Sequence, residues 1–101
     1  MYNQKDAIET IQIFTKALGA EEINTHESWA ERRMASAHFE LGGLQGSASI
    51  VHDFAAGSIC VSVWRKDGDY DEIVRVTAPA AIALATVNMV IAQHSLDAAT
   101  E

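Results

Sequence analysis

The chain has 101 residues, of which 49% are hydrophobic, one is cysteine, and 14 are acidic against 7 basic, for a formal charge of −7. This length supports one domain around one core and leaves no room for two. A single cysteine, Cys60, excludes an internal disulfide and a multi-cysteine zinc site, and the acidic balance opposes direct binding to nucleic-acid phosphates. The cysteine usage accords with a reducing, cytoplasmic compartment. The start, Met1 to Asp6, lacks the basic-then-apolar pattern of a signal peptide. The longest apolar stretch, residues 78–92, falls short of the roughly 20 residues of a membrane span and contains Thr86 and Asn88.

Taken in chain order, the first element reads as a helix over residues 4–18. Asn3 can cap it, Asp6 sits at the third helical position, and Gly19 is a natural stop. Ala7, Ile11, Phe14 and Leu18 recur at helical spacing, and Ile8 widens the stripe. Residues 20–31 are acidic, with Glu21, Glu22, Glu27 and Glu31, and have only Ile23 and Trp29 as large apolar anchors. They read as a loop, a short edge strand, or a helical turn through Trp29, Ala30, Glu31 and Arg32.

From residue 32 the period changes to two. Strands are expected over residues 32–41, 44–53, 58–66 and 69–77, joined at Gly42-Gly43, at residues 54–57 and at Asp67-Gly68. Two-residue turns at Gly42-Gly43 and Asp67-Gly68 and a four-residue turn between them predict a register. Phe39, Ala37 and Ala35 fall beside Gly46, Ala48 and Ile50; Ile50 and Ala48 beside Val61 and Val63; Val61 and Ile59 beside Val74 and Val76. All of these side chains share one face. A final helix follows over residues 78–94, with Thr77 as cap and Pro79 in its first turn. Residues 96–101 read as a frayed tail.

The expected fold is therefore α+β: one domain over residues 1–101, a two-layer sandwich of N-terminal helix, four-stranded antiparallel meander and C-terminal helix, with both helices on the apolar face. On the last helix, Ala80, Ala83, Leu84, Val87, Val90 and Ile91 should cover the sheet. A second stripe, Ala81, Ala85, Asn88 and Ala92, reads as a seam for close helix approach, against either the first helix or a second subunit.

The other sheet face should be open. Its expected rows are Met34, Val51, Cys60 and Arg75; Ser36, Ser49, Ser62 and Ile73; and His38, Ser47, Trp64 and Asp71, with Arg32 opposite Asp53 at the rim. Small hydroxyl residues with one Trp and one Arg make up either an ordinary solvated face or a protein contact. His38, Ser47 and Asp71 share a row, but Trp64 stands between the last two, and a flat sheet lacks the pocket and oxyanion donors of a hydrolase. His26, His38, His52 and His94 have no metal-ligand spacing. Asp67-Gly68-Asp69 lacks the rest of a calcium loop, and no glycine-rich segment runs from strand to helix to hold a phosphate. The expectation is no enzyme, no cofactor and no metal.

What remains is charge and surface. Glu21, Glu22, Glu27 and Glu31 form one acidic cluster, and Asp67, Asp69, Asp71 and Glu72 another. Each either solubilises the chain or meets a basic partner. In size, acidity and α+β make-up the chain resembles the small inhibitors that phages and mobile elements encode, anti-CRISPR proteins among them; the resemblance is to a broad kind and rests on no motif. It implies a non-catalytic inhibitor or adaptor bound to a protein partner with a basic surface, such as a nucleic-acid-binding complex. Glu21, Glu22, Glu27, Asp67, Asp69 and Asp71 would supply charge, and Trp64 and Arg75 anchoring. The alternatives are a homodimeric chaperone or adaptor using the small-residue seam, and a small-molecule domain with a ligand beside Ala35, Ala37, Gly46 and Ala48.

Overall fold

The N-terminal helix forms where capping and periodicity agree. α1 (Gln4–Leu18) begins at Asn3, whose Oδ1 accepts the Asp6 backbone N–H at 2.8 Å. It ends at Gly19, which takes the left-handed conformation at φ 79° and donates its N–H back to the Lys16 carbonyl. Ala7, Ile11, Phe14 and Leu18 are all buried. Thr15 is buried beside them without cost, because its hydroxyl donates to the Ile11 carbonyl at 2.9 Å. The structure, a computed structural model, describes residues 1–66 and 71–99. The expected Asp67-Gly68 turn, with Asp69 and Tyr70, lies outside the described residues.

Residues 20–31 resolve into two elements, β1 (Glu21–Glu27) and the single turn α2 (Trp29–Arg32). The sheet therefore has five strands where the sequence predicts four. It is an antiparallel meander in the order β1, β2 (Met34–Leu41), β3 (Leu44–Val51), β4 (Ser58–Arg65), β5 (Glu72–Pro79). β1 gave no alternating signal because all seven of its residues are exposed. Neither of its faces lies under a helix, so neither face required apolar residues. Trp29 turns inward from α2, buried and edge-on to the His52 ring at a centroid distance of 6.1 Å. The Trp29 backbone N–H donates to Glu27 Oε1 at 2.6 Å.

β2 and β3 pair as predicted, Ala35 with Ile50, Ala37 with Ala48 and Phe39 with Gly46. The next two pairings are displaced by two residues. Ala48 lies beside Val61 rather than Val63, and Val61 beside Val76 rather than Val74. The β3–β4 connection is longer than expected. Two turns stand back to back, with Phe54 N–H donating to Val51 O and Ser58 N–H to Ala55 O, both at 3.0 Å. On β5, Ile73 is an extra residue in a bulge between the Val63–Val74 and Trp64–Glu72 pairs. A two-residue displacement keeps every side chain on its face. The apolar face therefore survives, and only neighbours within a face change.

Pro79 closes β5 opposite Ser58, and Thr77 pairs with Cys60, so neither belongs to the helix start as the sequence suggests. At the end of an edge strand a residue without N–H costs little. The next residue, Ala80, donates its N–H to Gly57 O at 2.8 Å and begins α3 (Ala80–Ala99). This helix continues past the expected end at residue 94 and includes part of the expected tail, supported by Gln93 Nε2 donating to Asp97 Oδ1 one turn on.

Both helices lie on one face, α1 over β2 and β3 and α3 over β4 and β5. Between the layers sit Ile11, Phe14, Ile50, Ile59, Val61, Val63, Ala83 and Val87, all buried. Tyr2, which the sequence did not mark as core, closes one end; its hydroxyl donates to Ser58 O at 2.9 Å. Gly46 marks the tightest contact. A Cβ there would lie 2.5 Å from Phe39 Cε2 and 3.0 Å from the Ser62 carbonyl oxygen. Gly46→Ala should therefore destabilise the fold by about 1–3 kcal/mol through overpacking. Urea unfolding measures this, and Phe39→Leu in the same chain should recover part of the loss.

Candidate partner-binding surface

The face of the sheet away from the helices carries no covering element among the described residues. Its rows follow the displaced register. One runs His26, Ser36, Ser49, Cys60, Thr77; the next runs Asn24, His38, Ser47, Ser62, Arg75. A third runs Glu40, Gln45, Trp64, Glu72, with Glu21 paired to Glu40. His38 and Ser47 are neighbours as expected, but Asp71 is not in their row. Arg75 lies beside Ser62, not Cys60, and Ile73 leaves the serine row for the bulge. Arg32 is in α2 and not opposite Asp53, whose carboxylate instead meets His52 Nδ1 at 3.2 Å.

Across the third row the face sinks into a depression of about 310 Å³ lined by Glu22, Asn24, His38, Glu40, Gln45 and Trp64. Trp64 is only 9% exposed, so it forms part of a floor and not a projecting anchor. Glu40 is engaged by Lys66 Nζ at 2.7 Å. Arg75 is held by Glu72 Oε2 through Nη2 at 2.9 Å and Nε at 3.2 Å. The lining is rich in acceptors, with carboxylates at Glu22 and Glu40, amide oxygens at Asn24 and Gln45, and the His38 ring. Such a surface suits donor-bearing, cationic side chains.

The two acidic clusters are not brought together. Glu21, Glu22 and Glu27 lie on edge strand β1, whereas Asp71 precedes β5 at the opposite edge, where Arg65 Nε meets its Oδ2 at 3.5 Å. Four interstrand gaps separate those edges, roughly 19 Å at standard spacing. Asp67 and Asp69 lie outside the described residues. Glu27 has a structural duty as well, since it holds the Trp29 N–H.

The small-residue stripe of α3 is on the surface: Ala81, Ala85, Asn88 and Ala92 are all exposed. α1 lies beside its start, where Ile13, Ala17, Ala81 and Leu84 line an apolar groove of about 240 Å³. Sequence reasoning missed the larger apolar residues beside this stripe, Ile82, Met89 and Leu96, which are 57%, 67% and 61% exposed. Their spacing was the available signal.

Among the described residues no group of three or more His, Cys, Asp or Glu side chains is arranged to hold a metal ion. None of the helices there is long and apolar enough to cross a membrane. No family model, no curated protein and no solved structure matches the chain.

The Lys66–Glu40 pair is half exposed, and such pairs contribute about 0–1 kcal/mol. Lys66→Ala should accordingly leave the urea midpoint nearly unchanged. A loss above about 1 kcal/mol would show that the pair holds the sheet together and is not a surface feature.

Proposed function

We propose that the chain is a small, non-catalytic protein-interaction domain, an inhibitor or adaptor that acts in the cytoplasm and binds a basic protein partner through β1 and the open sheet face beside it. The observation that carries this reading is β1 itself. It is an edge strand with all seven residues exposed, it carries Glu21, Glu22 and Glu27, and it borders a largely polar sheet face that no described element covers. An exposed edge offers backbone donors and acceptors to an extended partner segment. Carboxylates along that edge steer a cationic partner toward it. The likeness in size, charge and make-up to phage and mobile-element inhibitors supports a nucleic-acid-binding complex, anti-CRISPR fashion, as the kind of target. A ligand between sheet and helices is disfavoured. Ala35, Ala37 and Ala48 are fully buried, and the Phe39 ring fills the space above Gly46.

The test uses Glu21→Lys/Glu22→Lys, which raises the net charge from −7 to −3 and spares Glu27. Partner protein captured from an extract at low salt should associate with this variant roughly ten-fold more slowly or worse, and the difference should shrink as salt screens it. Thiol labelling of Cys60, which is half-buried on the open face, should slow when the partner is bound. Unchanged association kinetics at both salt concentrations would remove the acidic edge from the reading.

A further inference from the structure

α3 is apolar over much of its circumference and uncharged up to Leu96, but its large apolar residues are buried on only one side. Ala83 and Val87 are buried against the sheet layer, with Leu84, Val90 and Ile91 packed beside them. On the opposite side Ile82, Met89 and Leu96 are exposed, half of the six large hydrophobic residues that are exposed among those described. A helix that is hydrophobic all round is normally buried all round.

These exposed residues are not scattered. Ile82, Ala85, Met89, Ala92 and Leu96 follow at intervals of three, four, three and four. At 100° per residue they lie within an arc of about 80°. That is the heptad repeat of a two-helix seam, with large side chains at one core position and alanine at the other. The residues flanking the seam, Thr86 and Gln93 on one side and Ala81, Asn88 and Ser95 on the other, are uncharged. From Ala78 to Leu96 the chain has no Asp, Glu, Lys or Arg.

We infer that the solvent face of α3 is a two-fold dimer interface, on which the same helix of a second copy packs antiparallel. Two observations single out a second copy as the occupant. The first is charge: each copy carries −7, so two copies repel at most approaches, and the one long helix without a formal charge up to Leu96 is where they can meet. The second is self-complementarity. Run antiparallel with Met89 opposite Ala92, the seam also places Leu96 opposite Ala85. Each layer then sets a large side chain on a small one, and the two-fold axis repeats both pairs. Run parallel, the seam would stack alanine on alanine between layers of methionine and leucine, which leaves voids. The antiparallel arrangement also opposes the two helix dipoles favourably. This interface lies on the helical side of the sandwich and is independent of the partner surface on the sheet side.

The experiment is sedimentation equilibrium and light scattering on the full chain of 10.9 kDa up to about 100 μM. A dimer mass is expected. Met89→Glu puts two carboxylates beside the two-fold axis and Leu96→Glu puts charge into the outer layer. Each should raise the dimer Kd more than ten-fold, about 1.4 kcal/mol, while the circular dichroism spectrum and a cooperative melt stay native. Both residues are largely exposed in the single chain, so loss of the dimer without loss of fold is the expected pairing. For orientation, in a Cys60→Ser background an Ala85→Cys chain mixed with a Leu96→Cys chain should cross-link to each other, and Ala85→Cys alone should not. A monomer at every concentration, or a dimer indifferent to both charged variants, overturns the inference. Cross-linking of Ala85→Cys with itself overturns the antiparallel arrangement.

Discussion

The structure depends on a sheet that is apolar on one side only. The row Ala37, Ala48, Val61, Val76 crosses four strands, each strand contributing one inward residue. That face cannot remain in water, so both helices lie on it. The small residues set how closely they approach. Ala37 and Ala48 have no exposure at all beneath α1, and Gly46 accepts a phenylalanine ring where any side chain would collide. With the helices committed to one side, no described element covers the other side of the sheet.

This dependence explains how much was legible in the sequence. Elements bound to the apolar face left a period: α1 with its Asn3 cap and Gly19 stop, the β2–β3 hairpin, and the inward face of α3. The errors lie where the face does not dictate the answer. β1 is exposed on both sides and had no pattern to show. The register after β3 slipped by two because a hydrophobic pattern of period two cannot distinguish such a slip. The length of the turn at residues 52–57 decides it for β3 and β4, and the bulge at Ile73 accounts for one of the two residues by which β5 is displaced. The open-face rows inherited that error, and the His38, Ser47, Asp71 grouping dissolved with it. Of the two apolar anchors read in residues 20–31, Trp29 is buried and Ile23 is exposed, and Tyr2 carried no signal because its burial depends on a contact with Ser58, distant along the chain.

The two surfaces singled out differ in the physics they exploit. The sheet side offers carboxylates, hydroxyls and an unpaired strand edge, which favour rapid, salt-sensitive encounter with a cationic partner. The helical side offers an uncharged apolar seam, which favours burial of area and is insensitive to salt. They occupy opposite layers of the sandwich, so occupation of one does not block the other.

The glutamates of β1 have a second effect. An exposed strand edge is a template on which another sheet can grow, and inhibiting that growth is a problem every open sheet must solve. Glu21, Glu22 and Glu27 line such an edge, and like charges placed opposite one another resist pairing between two copies of it. The other edge, β5, ends in Pro79 and is bent by the Ile73 bulge, two further devices against extension. Replacing the β1 glutamates with neutral residues would therefore remove a safeguard against aggregation along with any steering charge. Lysine keeps the edge charged and so separates the two effects; glutamine or alanine confounds them.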